Sequence, residues 1–378
     1  MLPAILSHFD NLPDPRVNRT RLHPLLSILG IALCGVLCGA DSWVEIEEYG
    51  KAKQEWLTQW LPLPNGIPSH DTFARLFARL QPETLGSCLQ TVTQQLVQGM
   101  EKLIAIDGKY LRHSFDKSGD QRPWVMLNAW ASHQRLVLAS LPVDLKSNEI
   151  KKVPELLALL DITGCTVTLD AMGCQTAIAA QIVEGGGDYI LALKGNQSSI
   201  HEDVKGFFEF AIKKRWKGLT YDLWEQTWIG HGRVERQRCF VVNLSDLEGT
   251  WDDEARKWKG LASLVRVESE RSVPGKTSEE VRYYLSSLSG DARKMSRSIR
   301  SHWGVENSLH WVLDVAFDED DCPIHKDHAP VNFSLLRQMA LNLLRQEKTC
   351  KNGIAVKRSK AGWDDTYLFK VLDSCSQI

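Results

Sequence analysis

The chain has 378 residues, 43% of them hydrophobic and 24% charged, with a formal net charge of −2. That length exceeds one ordinary hydrophobic core and predicts two or three domains, while the ordinary apolar content excludes disorder on a large scale. Near-neutrality excludes a uniformly basic coat, so any grip on a polyanion has to come from local clusters.

Nine cysteines without paired C-x-x-C spacings exclude a disulfide framework or a zinc ribbon, and predict reduced, buried thiols in a cytoplasmic protein. Residues 1–100 are expected to form a helical N-terminal domain, punctuated by Pro13-Asp14-Pro15, Pro62 to Pro68 and Pro82. Within it, Leu25 to Ala40 is an apolar run preceded by Arg16, Arg19 and Arg21, as in a signal peptide or anchor. The run falls short of the ~18 residues that favour a spanning helix, so a buried core helix and no membrane partner are expected. Ser69-His70-Asp71-Thr72 reads as a helix start, with Phe73, Leu76, Phe77 and Leu80 on one face.

The pattern changes at Leu103. LIAIDGKYL (103–111), WVMLNAWAS (124–132) and RLVLASLPVD (135–144) read as strands of an antiparallel meander. An amphipathic helix starting near Asn148-Glu149, a strand CTVTLDA (165–171), a helix CQTAIAAQIVEGG (174–186) and a strand DYILALKG (188–195) complete the order βββαβαβ. That order predicts an α/β fold with a ribonuclease H-like mixed sheet, whose first part occupies 101–200. Alternating runs then predict a β-rich insertion over 201–290. A long helix from Asp291 through Phe317 and a helical tail fill 291–378.

Asp107 lies in the middle of the first apolar strand and Asp170 at the end of the fourth. A carboxylate among Ile and Leu loses hydration, which is costly unless something binds it. In this order the first and fourth strands lie side by side, so the two acids are expected to share Mg²⁺ or Mn²⁺. Such a pair serves in-line phosphodiester cleavage. On the last long helix His302, Glu306, His310 and Asp314 recur every fourth residue beside Trp303, Leu309 and Leu313, and are read as lining a cleft. The stripe lacks H-E-x-x-H spacing, which disfavours zinc. Lys194 and Asn196 fall just past a strand end, where open α/β sheets bind ligands. A metal-free glycosidase built on paired acids is the rival chemistry from another class.

Long motifs add a resemblance. IAIDGKYLRHS (104–114), KSNEI (146–150), TLDAMGCQ (168–175), DYILALKGNQ (188–197), HGRVERQR (231–238) and HWGVENSLHWVLDVAFDED (302–320) resemble the ISAs-type insertion-sequence transposases, the group that includes H-repeat-associated proteins. PDPR (13–16), GADSWVEIEEYG (39–50), NGIPSHDTFARLF (65–77) and WDDTYLFKVL (363–372) extend the similarity over nearly the whole chain. The resemblance implies a DDE transposase with Asp107, Asp170 and Glu306 as the catalytic, metal-binding acids. It implies Mg²⁺-dependent cleavage and strand transfer at element ends, with double-stranded DNA as partner and a homodimer on the DNA. The DNA contacts expected on this reading are Lys109, Arg112, Lys194, Asn196, Gln197, Arg300, His302, Asn307 and His310. Broader relatives carry Arg four residues before the catalytic Glu and Lys seven after it. Here these positions are His302 and Leu313, which passes strand positioning to Arg300, His302 and Lys194. The alternative is a co-opted or inactive DNA-binding derivative without catalysis.

Overall fold

The computed structural model describes residues 4–97, 102–115, 123–143, 149–230, 232–247, 249 and 251–375. In chain order these form α1 (Ala4–Ser7), α2 (Leu25–Leu37), α3 (Trp43–Ala52), α4 (Gln54–Leu57), α5 (His70–Arg79) and α6 (Pro82–Leu96). β1 (Leu103–Leu111), β2 (Trp124–Ala131), β3 (Leu136–Val143), α7 (Glu149–Ala158), β4 (Thr166–Leu169), α8 (Thr176–Glu184) and β5 (Asp188–Leu193) follow in the expected βββαβαβ order. Next come α9 (Ser198–Lys213), β6 (Asp222–Gly230), β7 (Arg233–Asn243), α10 (Asp252–Lys257), β8 (Ser263–Val273), β9 (Lys276–Ser286) and α11 (Ala292–His302). The chain closes with α12 (Trp311–Phe317), α13 (Ala329–Gln346), α14 (Ile354–Trp363) and α15 (Asp365–Leu372). Lys146, Ser147 and Asn148 of the KSNEI motif, and His231, lie outside the described residues.

Packing divides the chain into two compact units. One comprises Met1–Met100, Gly108–Asn148 and Glu306–Ile378, the other Glu101–Asp107 and Glu149–Val305.

The first unit is organised around α13, which packs against α2, α5, α6, α14 and β3. Every residue from Ala329 to Leu344 is buried, so each polar side chain on this helix needs a partner. Asn332 donates to the carbonyls of Phe77 and Leu80 at 2.7 and 2.9 Å, where α5 runs out of helical partners. Gln338 joins Ser140 and Asn128 of the β2–β3 hairpin in one network. The apolar run expected as a core helix is α2, with Ser27 to Leu37 buried. No helix among the described residues is long and apolar enough to cross a membrane. The described cysteines are free thiols, and all but the half-buried Cys38 are buried.

The second unit is a mixed sheet in the order β1-β4-β5-β9-β8-β7-β6. β1, β4 and β5 run parallel, and β4 is buried at all four positions, as a central parallel strand covered on both faces should be. β9 pairs antiparallel with β5, so the strands of the β-rich insertion continue this sheet. α11 lays Ala292, Met295 and Ile299 on a floor of Ile190, Val241, Val265 and Tyr284. The spacing of those residues is one helical face.

The helix expected to run unbroken from Asp291 to Phe317 is interrupted. α11 ends at His302, and Glu306–His310 form a π-helical turn before α12. A π turn closes i→i+5 bonds and shifts the phase of the residues after it. The four-residue recurrence of His302, Glu306, His310 and Asp314 therefore does not make one stripe: His302 is buried, while Glu306 is exposed.

Asn342 tests the role of α13. Its side chain accepts from Val137 N at 3.0 Å and donates to Val137 O and Thr93 Oγ1 at 2.9 and 3.0 Å. Asn342→Ala strands these buried groups and should cost about 1–3 kcal/mol in chemical denaturation. A variant as stable as the wild type would remove α13 as the polar organiser of this unit.

Candidate active site

Register brings the first two acids together. Leu103, Ile104, Ala105 and Ile106 of β1 pair with Thr166, Val167, Thr168 and Leu169 of β4, so the next residue on each parallel strand is an aspartate, Asp107 and Asp170. Both are half-buried. Asp170 also caps the short turn after it, its Oδ1 accepting from the backbone N–H of Met172 and Gly173 at 3.1 and 3.3 Å. Gly173 is required there, because a Cβ would lie 2.5 Å from Leu169 Cδ2.

The loop carrying Asp170 is braced from two sides. Asn196 Nδ2 donates to the Ala171 carbonyl at 2.6 Å, and Gln197 Nε2 donates to the Cys174 carbonyl at 3.0 Å. From α11, His302 shares a 3.0 Å hydrogen bond between its Nδ1 and Thr168 Oγ1, two residues before Asp170. Burial pushes the His302 imidazole down to about 4, against a raising influence from Asp170. It is therefore neutral at pH 7.

A cavity of about 290 Å³ opens beside Asp170, lined by Lys194, His201, Arg282, Tyr284, His302 and Trp303 among others. Arg282 lies 4.2 Å from the Trp303 ring centroid. Exposed Lys194 presents a cation on the same wall as the Asp170 carboxylate. Arg300 stacks on Trp228 at 3.8 Å, with Glu235 at 3.5 Å. Glu149, the first residue of α7, is a further acid here. Burial raises its carboxyl and the nearby charge of Asp170 raises it again. Its place in the KSNEI motif was the available signal, as the HWGVEN motif was for Trp303; Arg282 carried none, because its pairing with Trp303 depends on how β9 and α11 pack.

The remaining positions belong to the first unit. Lys109 is 6% exposed and lies among Asp314 (2.6 Å), Asp320 (3.1 Å) and Glu319 (3.6 Å). Arg112 reaches Asp320 at 3.2 Å. The carboxyls of Asp314 and Glu319 are raised by burial, with Lys109 opposing. His310 lines a cavity of about 550 Å³ together with Lys109, Arg112 and Asp314. Glu306 opens the π turn, and Asn307 after it is exposed.

Among the described residues, no group of three or more His, Cys, Asp or Glu side chains is arranged to hold a metal ion. The fit to a divalent cation therefore rests on the two carboxylates that directly follow the paired stretch of β1 and β4. They are hard oxygen donors of the kind Mg²⁺ or Mn²⁺ takes.

Residues 98–343 match the family described as Transposase DDE domain, and residues 6–92 match the DDE_Tnp_1-associated family. The chain is 39% identical over 376 residues to the protein YbfL of Escherichia coli K12, covering 98% of each. It is 38% identical over 376 residues to the H repeat-associated YhhI of the same strain, again covering 98% of each. A solved piggyBac transposase synaptic complex with hairpin DNA aligns over 97% of this chain and 78% of its own, at 12% identity and a TM-score of 0.47.

Two measurements probe this geometry. Lys109→Met leaves the buried Glu319 and the half-buried Asp314 and Asp320 without their cation and should cost about 3–5 kcal/mol at pH 7. The deficit should shrink as the pH is lowered and the acids take up protons; a pH-independent deficit would deny the charge balance. For His302, the folded value lies below the unfolded one near 6.5. Its contribution to stability is thus complete above that pH and is lost as pH falls towards 4, where the unfolded chain takes a proton the folded chain refuses. In metal-free buffer, melting temperatures of wild type and His302→Asn should converge over that window. Parallel profiles would rule the assignment out.

Proposed function

The chain belongs to the DDE transposase family, and we propose that it cuts and joins the ends of an insertion sequence by divalent-metal-dependent phosphoryl transfer. The single observation that carries this reading is the matched parallel register of β1 with β4, which ends at Ile106 and Leu169 with Asp107 and Asp170 as the next residues. Two carboxylates so close repel one another unless a cation stands between them. Glu306, supplied by the HWGVEN motif, is the third ligand on this reading.

The metal is Mg²⁺, or Mn²⁺ in its place. When bound, such ions neutralise charge on the attacking and leaving oxygens of an in-line displacement. The chain's own residues do the rest. Asp107, Asp170 and Glu306 bind the cation. Asn196, Gln197 and His302 hold the Asp170 loop in place through the hydrogen bonds described above, and Lys194 offers its ammonium to a phosphate oxygen in the cavity beside Asp170.

Water first cleaves a phosphodiester bond at the element end, leaving a 3′-hydroxyl on one product and a 5′-phosphate on the other. That hydroxyl then attacks a phosphodiester of target DNA, whose own 3′-oxygen departs with a proton. One P–O bond forms for each one broken, so no nucleotide cofactor is required. Acting on two ends at once calls for two copies of the chain on the DNA.

The test is a nicking and strand-transfer assay on the inverted repeats flanking the gene. The wild type should cut only with Mg²⁺ or Mn²⁺ present. Asp107→Ala, Asp170→Ala and Glu306→Ala should each lose about 10³-fold or more, the several kcal/mol that metal assistance contributes. DNA binding without metal-dependent cutting would leave the non-catalytic derivative. Cutting that persists in chelator would overturn the metal mechanism.

A further inference from the structure

A second charged feature lies in the first unit. A groove of about 580 Å³ is lined by Arg135, Asn307, Trp311, Arg345, Lys348 and Lys351, with other residues. Arg135 stands at the β2–β3 turn with a φ of 58°, a left-handed conformation that costs a non-glycine residue energy. Its carbonyl is held by Arg345 Nη1 at 2.6 Å. A second Arg345 nitrogen donates to the Ser308 carbonyl, and the guanidinium stacks on Trp130 at 4.6 Å. Arg345 therefore spends its donors on backbone carbonyls rather than on a carboxylate.

Among the described lining residues the cations outnumber the acids, and Lys357 pairs with Glu347 at 4.0 Å. Glu347 is the acid there, and its carboxylate is occupied by the backbone N–H of Thr349 and Cys350, the Thr349 hydroxyl and Tyr367 OH. The like charges depress one another. Burial and then Arg135 bring Arg345 down to about 9, while burial and then Lys351 and Arg345 lower Lys348. Cations crowded in excess of the acids beside them are unfavourable for an isolated fold, and such arrangements concentrate where a ligand of opposite charge binds. The rim is apolar: Trp311 is 59% and Val315 60% exposed. Arginine and lysine beside an exposed aromatic ring in one groove suit a strand of nucleic acid, whose phosphates meet the cations while a base can meet the ring. Asn307 and Ser308, which directly follow Glu306, form one wall.

We infer that this groove is a sequence-independent track for the phosphodiester backbone of DNA, with Arg135, Lys348 and Lys351 contacting phosphates and Trp311 supporting the strand on the wall that begins after Glu306. The inference rests on the transposase reading for the identity of the polyanion. Backbone contacts of this kind set affinity and register and carry no base information.

The experiment uses the full chain in chelator, so that no cutting intervenes, with an element-end duplex and an unrelated duplex of equal length. Arg135→Gln, Lys348→Gln and Lys351→Gln are combined; all three side chains are exposed, and an unchanged melting temperature confirms folding. Should the triple variant melt early, the Lys348→Gln, Lys351→Gln pair replaces it. Affinity should fall by the same factor for both duplexes, and the slope of log affinity against log salt should become shallower by about 0.9 for each cation removed. Trp311→Ala should weaken binding with the salt slope unchanged. Wild-type affinity and slope in the charge variant overturn the track, as does a loss confined to the element-end duplex, which would mean base readout. Failure of the wild type to bind either duplex would instead sink the function proposed above. Metal-dependent nicking by the wild type together with an unaltered charge variant sinks the groove alone.

Discussion

Parallel pairing between β1 and β4 is the constraint on which the chemistry of this protein depends. Side chains alternate faces along a strand, so a slip of one residue would send Asp107 and Asp170 to opposite sides of the sheet. The register holds because Leu103 to Ile106 and Thr166 to Leu169 are all buried, and every one of them would have to change sides in a slip. The apolar residues that make these strands legible are thus also what aligns the carboxylates at their ends. The acids follow directly on the paired stretch and are half-buried, while β1 runs on through the buried Lys109 and Leu111.

Keeping that end of the sheet in order takes polar side chains that are themselves committed elsewhere in the fold. Asn196 and Gln197 look from their turn like residues presented to a ligand, yet their amides are bound to the carbonyls of the Asp170 loop. His302 is hydrogen-bonded to Thr168 and buried too deeply to carry charge at neutral pH. A neutral imidazole suits a place beside a carboxylate that has a cation to bind, because it neither competes for the acid nor repels the metal. In the first unit, Lys109 is likewise enclosed by carboxylates, so its charge is consumed inside the protein. Residue types that read as ligand contacts in a sequence can instead be the supports of the residues that make contact.

That distinction explains what was legible beforehand. The βββαβαβ order, the adjacency of the first and fourth strands, the core helix at Leu25 and the β-rich continuation all follow from local periodicity, which a sequence displays directly. The interruption at Glu306 does not, because one extra residue in a turn leaves the apolar spacing of Leu309, Leu313 and Phe317 nearly intact. All three remain buried on either side of the change. The partners of Lys109 were hidden for another reason: they lie more than 200 positions away, and no periodicity links a strand residue to a helix so distant. Half of the cationic groove is local in the chain, since Arg345, Lys348 and Lys351 recur at three-residue steps. Its other half, Arg135, comes from a hairpin turn that only tertiary packing brings alongside.

The π turn borders the cationic groove of the first unit. A π turn is less favourable than continued α-helix and is retained mostly where function uses the displaced residue. Here it exposes Glu306 while Leu309 stays buried, and it leaves Asn307 and Ser308 on the wall of a groove with an excess of positive charge. On the function and groove proposed above, an acid for a metal and a lining for a phosphate chain come from consecutive residues of one short segment. A straight α-helix would place residues 306, 307 and 308 some 100° apart in succession and keep strict phase with Leu309 and Leu313. Widening the turn relaxes that phase, so the apolar anchors can stay in the core while the residues ahead of them turn outward. The helix accepts a poorer backbone hydrogen-bond pattern at the place where the chain has most to gain from an exposed carboxylate.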